Sequence, residues 1–160
     1  MLAFKPYNAL SWISCVLLLV ILLLLGSFTG RPAVIIGCTT IGTNDLPRAL
    51  NCYDALMEQL GTTRIFNIPR GVTYGDGKGP MLGALTPLNQ QPATPGNGSM
   101  IAFGVDAPEE VQRLYDFALS YGATDEGAPG PKGDGKFYYG YFRDLDKNKC
   151  KIFCYLSTPA

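Results

Sequence analysis

Two stretches, Cys38–Gly61 (CTTIGTNDLPRALNCYDALMEQLG) and Met100–Gly122 (MIAFGVDAPEEVQRLYDFALSYG), follow the same plan. Each opens with a short run of β-branched and small residues, the composition of a strand. Each then passes through a polar turn into apolar residues spaced three and four apart. In the first these are Ala49, Cys52, Tyr53, Leu56, Met57 and Leu60; in the second, Val111, Leu114, Tyr115, Ala118 and Leu119. That spacing is one face of a helix. Asn44-Asp45 offers an N-cap, and Pro47 falls in the first turn, where a missing N–H does no harm. Gly61 and Gly122 end the two helices. Tyr53 and Tyr115 are 62 residues apart, as are Cys38 and Met100. The chain therefore contains an internal duplication, and a repeated strand–helix unit restricts the fold sharply.

Working outward, the first strand is expected within Ala33–Thr43, and Arg64–Ile68, Gly71–Tyr74 and Pro80–Leu85 predict three strands after the first helix. The second half opens with Met100–Val105. After its helix only two strands are legible, Phe137–Arg143 and Lys149–Tyr155, joined by the polar turn Asp144–Asn148. Asp144 and Asp146 are expected there as solvated turn formers. Between the halves, Thr86–Gly98 (TPLNQQPATPGNG) reads as a crossing loop. Each half is compatible with β-α-β-β-β, which makes the class α+β. Gly130–Lys136 (GPKGDGK) matches a phosphate-loop pattern by letter, but Phe137 follows and a strand comes next instead of a helix. The reading adopted is a flexible loop.

The bulk composition narrows function mainly by exclusion. Lys and Arg number 13 and Asp and Glu 13, so nothing suggests the basic face that nucleic acid requires. There is no histidine, hence no Ser-His-Asp or Cys-His pair and none of the commonest metal ligand. Five cysteines, Cys15, Cys38, Cys52, Cys150 and Cys154, form no C-x-x-C pair. Four residues along a strand, Cys150 and Cys154 would lie about 13 Å apart, too far to bridge. Free thiols are expected, and they fit a reducing compartment.

Before the duplicated region lies Ala9–Phe28 (ALSWISCVLLLVILLLLGSF), twenty residues without a charge. At ~1.5 Å per residue this spans the roughly 30 Å hydrocarbon layer. No small-residue peptidase site follows it, so an uncleaved single-pass anchor is expected in preference to a signal peptide. The resulting organisation is a flank (1–8), an anchor (9–28), a linker (29–32) and one domain (33–157). Lys5 and Arg31 flank the segment one on each side, so charge does not orient it. The free thiols favour the cytoplasmic side.

The G-T-N-D-L turn (Gly42–Leu46), the D-E-G-A-P-G segment (Asp125–Gly130) and the ending Y-x-G-Y-F-R-D-L-D-x-N-K (Tyr138–Lys149) together resemble the vicinal-oxygen-chelate superfamily, the group of glyoxalases, bleomycin-resistance proteins and extradiol dioxygenases. The resemblance covers about residues 33–157. It implies two βαβββ modules forming a curved mixed sheet around a cleft, with Gly130–Lys136 as a loop over its mouth. It also implies a divalent metal held by first- and last-strand residues of each module. Carried over, those positions are Cys38, Met100, Lys151 and a residue near Ala84 or Leu85. A thioether and an ammonium do not make a site for a hard cation. The expectation is therefore no metal, no cofactor and no assigned catalytic residue.

Cleft candidates follow from strand alternation: Cys38 and Thr40, Met100 and Ala102, Tyr139 and Tyr141, Lys151 and Phe153, with Tyr138 as further aromatic surface. Three functions are compatible with this set. One is a membrane-tethered small-molecule-binding module. Another is an accessory subunit of a membrane complex, docked through its anchor to other transmembrane subunits. The alternative is a metal-independent lyase or isomerase with Lys151 as base.

Overall fold

The structure is a computed structural model that describes residues 36–156. The flank, anchor and linker expected over 1–32 lie outside the described residues. Among the described residues no helix is long and apolar enough to cross a membrane.

The two apolar stripes form the two helices. Strand β1 (Cys38–Gly42) leads into α1 (Leu46–Gln59), followed by β2 (Thr63–Ile68), β3 (Gly71–Gly75) and β4 (Met81–Leu85). After the Thr86–Gly98 crossing loop, the linker between the two halves, the plan repeats as β5 (Ile101–Gly104), α2 (Pro108–Ser120), β6 (Thr124–Lys132), β7 (Phe137–Arg143) and β8 (Lys149–Tyr155). Asp45 caps α1, its carboxylate accepting from the Arg48 N–H at 3.1 Å. Its counterpart before α2 is Ala107, which has no capping side chain. There the Glu110 carboxylate reaches back to the Asp106 N–H at 3.1 Å.

The strand order is β1-β4-β3-β2 in one half and β5-β8-β7-β6 in the other. The outer pairs β1/β4 and β5/β8 are parallel and the rest antiparallel. This is β-α-β-β-β twice. The ladders form two separate four-stranded sheets instead of the single curved sheet expected. Apart from Cys52, the stripe residues of both helices and the inward residues of both sheets, among them Val72, Tyr74, Phe142, Cys150 and Ile152, belong to one apolar core or pack against it.

Two readings of the sequence are corrected here. The second half has a third strand after its helix, β6, in a stretch whose glycines and prolines signalled a loop. Its pairing with β7 shifts register between Asp125 and Gly127 and again between Gly127 and Gly130. These irregularities let Pro129 sit against Gly140, where a Cβ would come within 2.8 Å of the proline ring. Gly130–Lys136 is accordingly not an irregular loop. It is the end of β6 and a hairpin turn in which Gly133, Asp134 and Gly135 all have positive φ.

The second correction concerns Asp144 and Asp146, which are not solvated. Asp144 is 5% exposed. It accepts from the Tyr53 hydroxyl at 2.8 Å, from the Asp146 and Asn148 N–H groups at 2.9 and 2.7 Å, and from the Asn148 amide at 2.9 Å. Asp146 accepts from the Thr43 hydroxyl at 2.6 Å, the Asn44 N–H at 3.0 Å and Arg48 at 3.4 Å. Asn148 also donates to the Gly42 carbonyl at 3.1 Å. The β7–β8 turn thus fastens the second half to the β1–α1 turn of the first.

Candidate binding cleft

Alternation along each strand sends one set of side chains into the core and leaves the other on an open face. On β8, Cys150, Ile152 and Cys154 are buried, while Lys149, Lys151 and Phe153 are half-buried on the open side. On β7, Phe137, Tyr139, Tyr141 and Arg143 share that side, opposite Tyr155, Phe153, Lys151 and Lys149 respectively. Ala102 on β5 pairs with Lys151, and Gly104 lies under the Phe153 ring. Tyr138 does not join this surface. Odd and even positions alternate, and it packs against the core instead.

In the first half Thr40, the counterpart of Ala102, is exposed and pairs with Gly83, the counterpart of Lys151. Ala84, one of the two positions expected near a last-strand ligand, is 1% exposed and faces the core. Leu85 is on the open side. Cys38 is exposed at the start of β1, its thiol donating to the Thr39 carbonyl. Met100, 43% exposed, stands just before β5. A cavity of about 180 Å³ between β1 and β5 brings Thr40 and Met100 together with Thr94, Gly96, Ser99 and Lys149. Cys38, Tyr139, Lys151 and Phe153 are not among its lining residues. Among the described residues no group of three or more His, Cys, Asp or Glu is placed to hold a metal ion.

Lys151 is enclosed by rings. Its ammonium lies 4.1 Å from the Tyr139 ring centre, 4.8 Å from Phe153 and 5.7 Å from Phe137. Cation–π contacts of this kind hold the charge in place over the sheet. Lys149 lies 4.6 Å from the Tyr141 ring centre and 3.7 Å from Glu126. Glu126 also takes a 2.6 Å contact from Arg143. The hydrogen bond from Arg143 holds the Glu126 carboxyl below its ordinary range, with the charge of Lys149 adding to the effect. Burial pushes the Cys150 thiol up to about 12 and the Cys52 thiol to about 11, with the Asp144 carboxylate adding to both. Neither thiol supplies a nucleophile at neutral pH.

A second cavity, of about 530 Å³, opens where the linker passes the end of β7. It is lined by Pro95 to Met100 with Tyr141, Arg143 and Lys149. The linker is held in position by Asn44, whose amide pairs with the Ala93 carbonyl at 2.9 Å and N–H at 2.7 Å. Arg143, Glu126 and the linker join the candidate site beyond the residues expected from the sequence. Arg143 was legible, since it lies two residues beyond Tyr141 on the same strand face. The part played by the linker depends on a contact 49 residues away, which no local pattern announces.

Comparison with known proteins agrees with this geometry. The family model of the Glyoxalase/Bleomycin resistance protein/Dioxygenase superfamily matches residues 35–152. A glyoxalase/bleomycin resistance protein from Albidiferax ferrireducens is 33% identical, with 75% of this chain and 98% of that one aligned at a TM-score of 0.69. A glyoxalase/bleomycin resistance protein/dioxygenase family enzyme from Burkholderia phytofirmans is 24% identical over 75% and 98% of the two chains, with a TM-score of 0.62. A lactoylglutathione lyase from Agrobacterium tumefaciens is 21% identical over 78% and 96%, with a TM-score of 0.56. These last two show shared fold alone. No curated protein matches the chain. The duplicated β-α-β-β-β plan, the family match over most of the chain and the relative at one-third identity make this chain a member of the glyoxalase/bleomycin resistance/dioxygenase superfamily.

Proposed function

We propose that the chain is a membrane-anchored, small-molecule-binding protein of this superfamily whose cleft works without a metal ion. The observation that carries the reading is Lys151, set among Phe137, Tyr139 and Phe153 on the open face. The positions carried over from the family's metal site hold Cys38, Met100 and Lys151, and the strand register puts Gly83 where Lys151 stands in the second half. These do not fit a divalent cation: an ammonium repels it, and a thioether is a poor donor to hard metals. The same wall suits an anionic or carbonyl-bearing molecule, which rings can cover while an ammonium meets its charge. Anchoring rests on Ala9–Phe28, an uncharged run long enough to span a bilayer.

A thermal-shift screen of the full chain in detergent, against small carboxylates and carbonyl compounds, tests the cleft. At least one compound should stabilise the protein by mass action. Lys151→Met keeps length and removes charge, so it should weaken that compound by roughly 10- to 150-fold, the equivalent of ~1.5–3 kcal/mol for a hydrogen bond to a charged group. A screen without hits, or a variant that binds equally well, overturns the reading. An accessory subunit would show the opposite pattern, with assembly indifferent to Lys151→Met and lost on Leu19→Arg, a charge near the middle of the anchor. A lyase or isomerase would need Lys151 presented to a substrate as base.

A further inference from the structure

The cleft contains more positive charge than the Lys151 reading uses. Arg143 and Lys149 face each other across the β7–β8 ladder. Like charges directly opposite in an antiparallel pair destabilise it unless something offsets them. Glu126 reaches both, at 2.6 and 3.7 Å, so one carboxylate serves two cations. Lys151 follows two residues later on the same face, about 7 Å along the strand. The chain as a whole balances 13 basic against 13 acidic residues, so this is a local segregation of charge.

The two cations also have donors to spare. A guanidinium has about five N–H donors and an ammonium about three. Arg143 uses one on Glu126 and one on the Lys147 carbonyl. Both side chains line the cavity of about 530 Å³, within the size range of small-molecule sites. Its other walls are the Pro95–Ser99 segment of the linker and the apolar surfaces of Met100 and Tyr141.

We propose that Arg143 and Lys149, beneath the Gly96–Ser99 segment, form a subsite for the carboxylate of an organic monoacid whose flat apolar body packs on Met100 and Tyr141. The net single positive charge of Arg143, Lys149 and Glu126 matches a monoanion. This inference rests on the cleft being a binding site and specifies what it takes. Glu126 is then a resident competitor for the two cations, which an incoming carboxylate supplements or displaces.

Calorimetry on the full chain in detergent micelles, with 1-naphthoate as probe and 1-naphthalenemethanol as its uncharged counterpart, decides the matter. Naphthoate should bind at least about tenfold more tightly than the alcohol, and Arg143→Met and Lys149→Met should each weaken naphthoate by roughly 10- to 100-fold and the alcohol by much less. Glu126→Gln removes the competitor and should tighten naphthoate several-fold, a gain that misfolding cannot imitate. No naphthoate binding at millimolar concentration overturns the subsite, as does equal binding of acid and alcohol, or a Glu126→Gln variant that binds no better. Inorganic phosphate binding as tightly as naphthoate would make it a simple anion site and overturn the organic-acid assignment. If naphthoate responds to Lys151→Met but to neither Arg143→Met nor Lys149→Met, the subsite falls while the cleft reading stands.

Discussion

Asp144 shows how far a single residue's role can depart from its local sequence. Between two strands, next to Leu145 and Asp146, it has the setting of an ordinary turn former. Its four hydrogen bonds include one from Tyr53, 91 residues away, and it is this distant partner that buries it. Asp144→Ala would strand the Tyr53 hydroxyl, two N–H groups and the Asn148 amide in a buried site. A loss of about 3 kcal/mol or more is expected, measured by urea unfolding, because donors that lose a charged acceptor incur their full desolvation cost. Surface substitution of the turn, such as Lys147→Ala, should change little by comparison. Asp54 is a milder case. The hydrogen bond from Arg64, helped by the one from Tyr74, lowers its carboxyl below the ordinary value of 3.8. A carboxyl lowered in the folded state stabilises above its unfolded value, and the contribution is lost as pH falls through the folded one. Asp54→Asn should therefore destabilise at neutral pH and differ progressively less from the parent as pH drops below about 4. The difference should stay under about 1 kcal/mol, since both Asp54 and Arg64 side chains are 41% exposed.

At the level of elements, the helices and seven of the eight strands were legible because their signals are local: a stripe at three and four, an alternation at two, a cap, a glycine stop. The exception, β6, is irregular because its partner strand demands it. Pro129 over Gly140 and two register shifts replace a regular alternation, so a period-two test has nothing to find. The open-face residues were legible for the same reason the strands were, since Lys151, Phe153, Tyr139 and Tyr141 follow directly from alternation. The two helices also differ in a testable way. Asp45 caps α1, whereas Ala107 stands at the same point of α2 with φ −142° and ψ 152°, an extended backbone that suits a capping side chain. Ala107→Ser should raise stability by about 0.5–1 kcal/mol, through a hydroxyl accepting from a free N–H of the first turn. Thermal or urea unfolding that shows no gain would mean that Glu110, already reaching back to Asp106, saturates this end of the helix.

On the scale of the whole molecule, the duplicated halves are alike in topology and unlike in chemistry. The open face of the first has Thr40, Gly83 and Leu85 where the second has Ala102, Lys151 and Phe153, so the superfamily's symmetry of fold is not repeated as a symmetry of ligands. Among the described residues the halves are bound to each other by the shared apolar core, the Asp144–Asn148 turn and a hydrogen bond from Arg113 to Gln59, none of which involves a metal-ligating set. On the metal-free reading proposed above, a divalent cation finds no site in the folded state and cannot stabilise it by mass action. The melting temperature of the full chain in detergent should therefore be unchanged by EDTA and by added zinc, nickel or manganese. The control is Asp144→Ala, which must lower it under the same conditions, so that insensitivity to metal is not mistaken for an insensitive assay. A rise with zinc that EDTA reverses would place thiolates such as Cys38 in a real site. It would also require the first-strand positions to be read again as ligands.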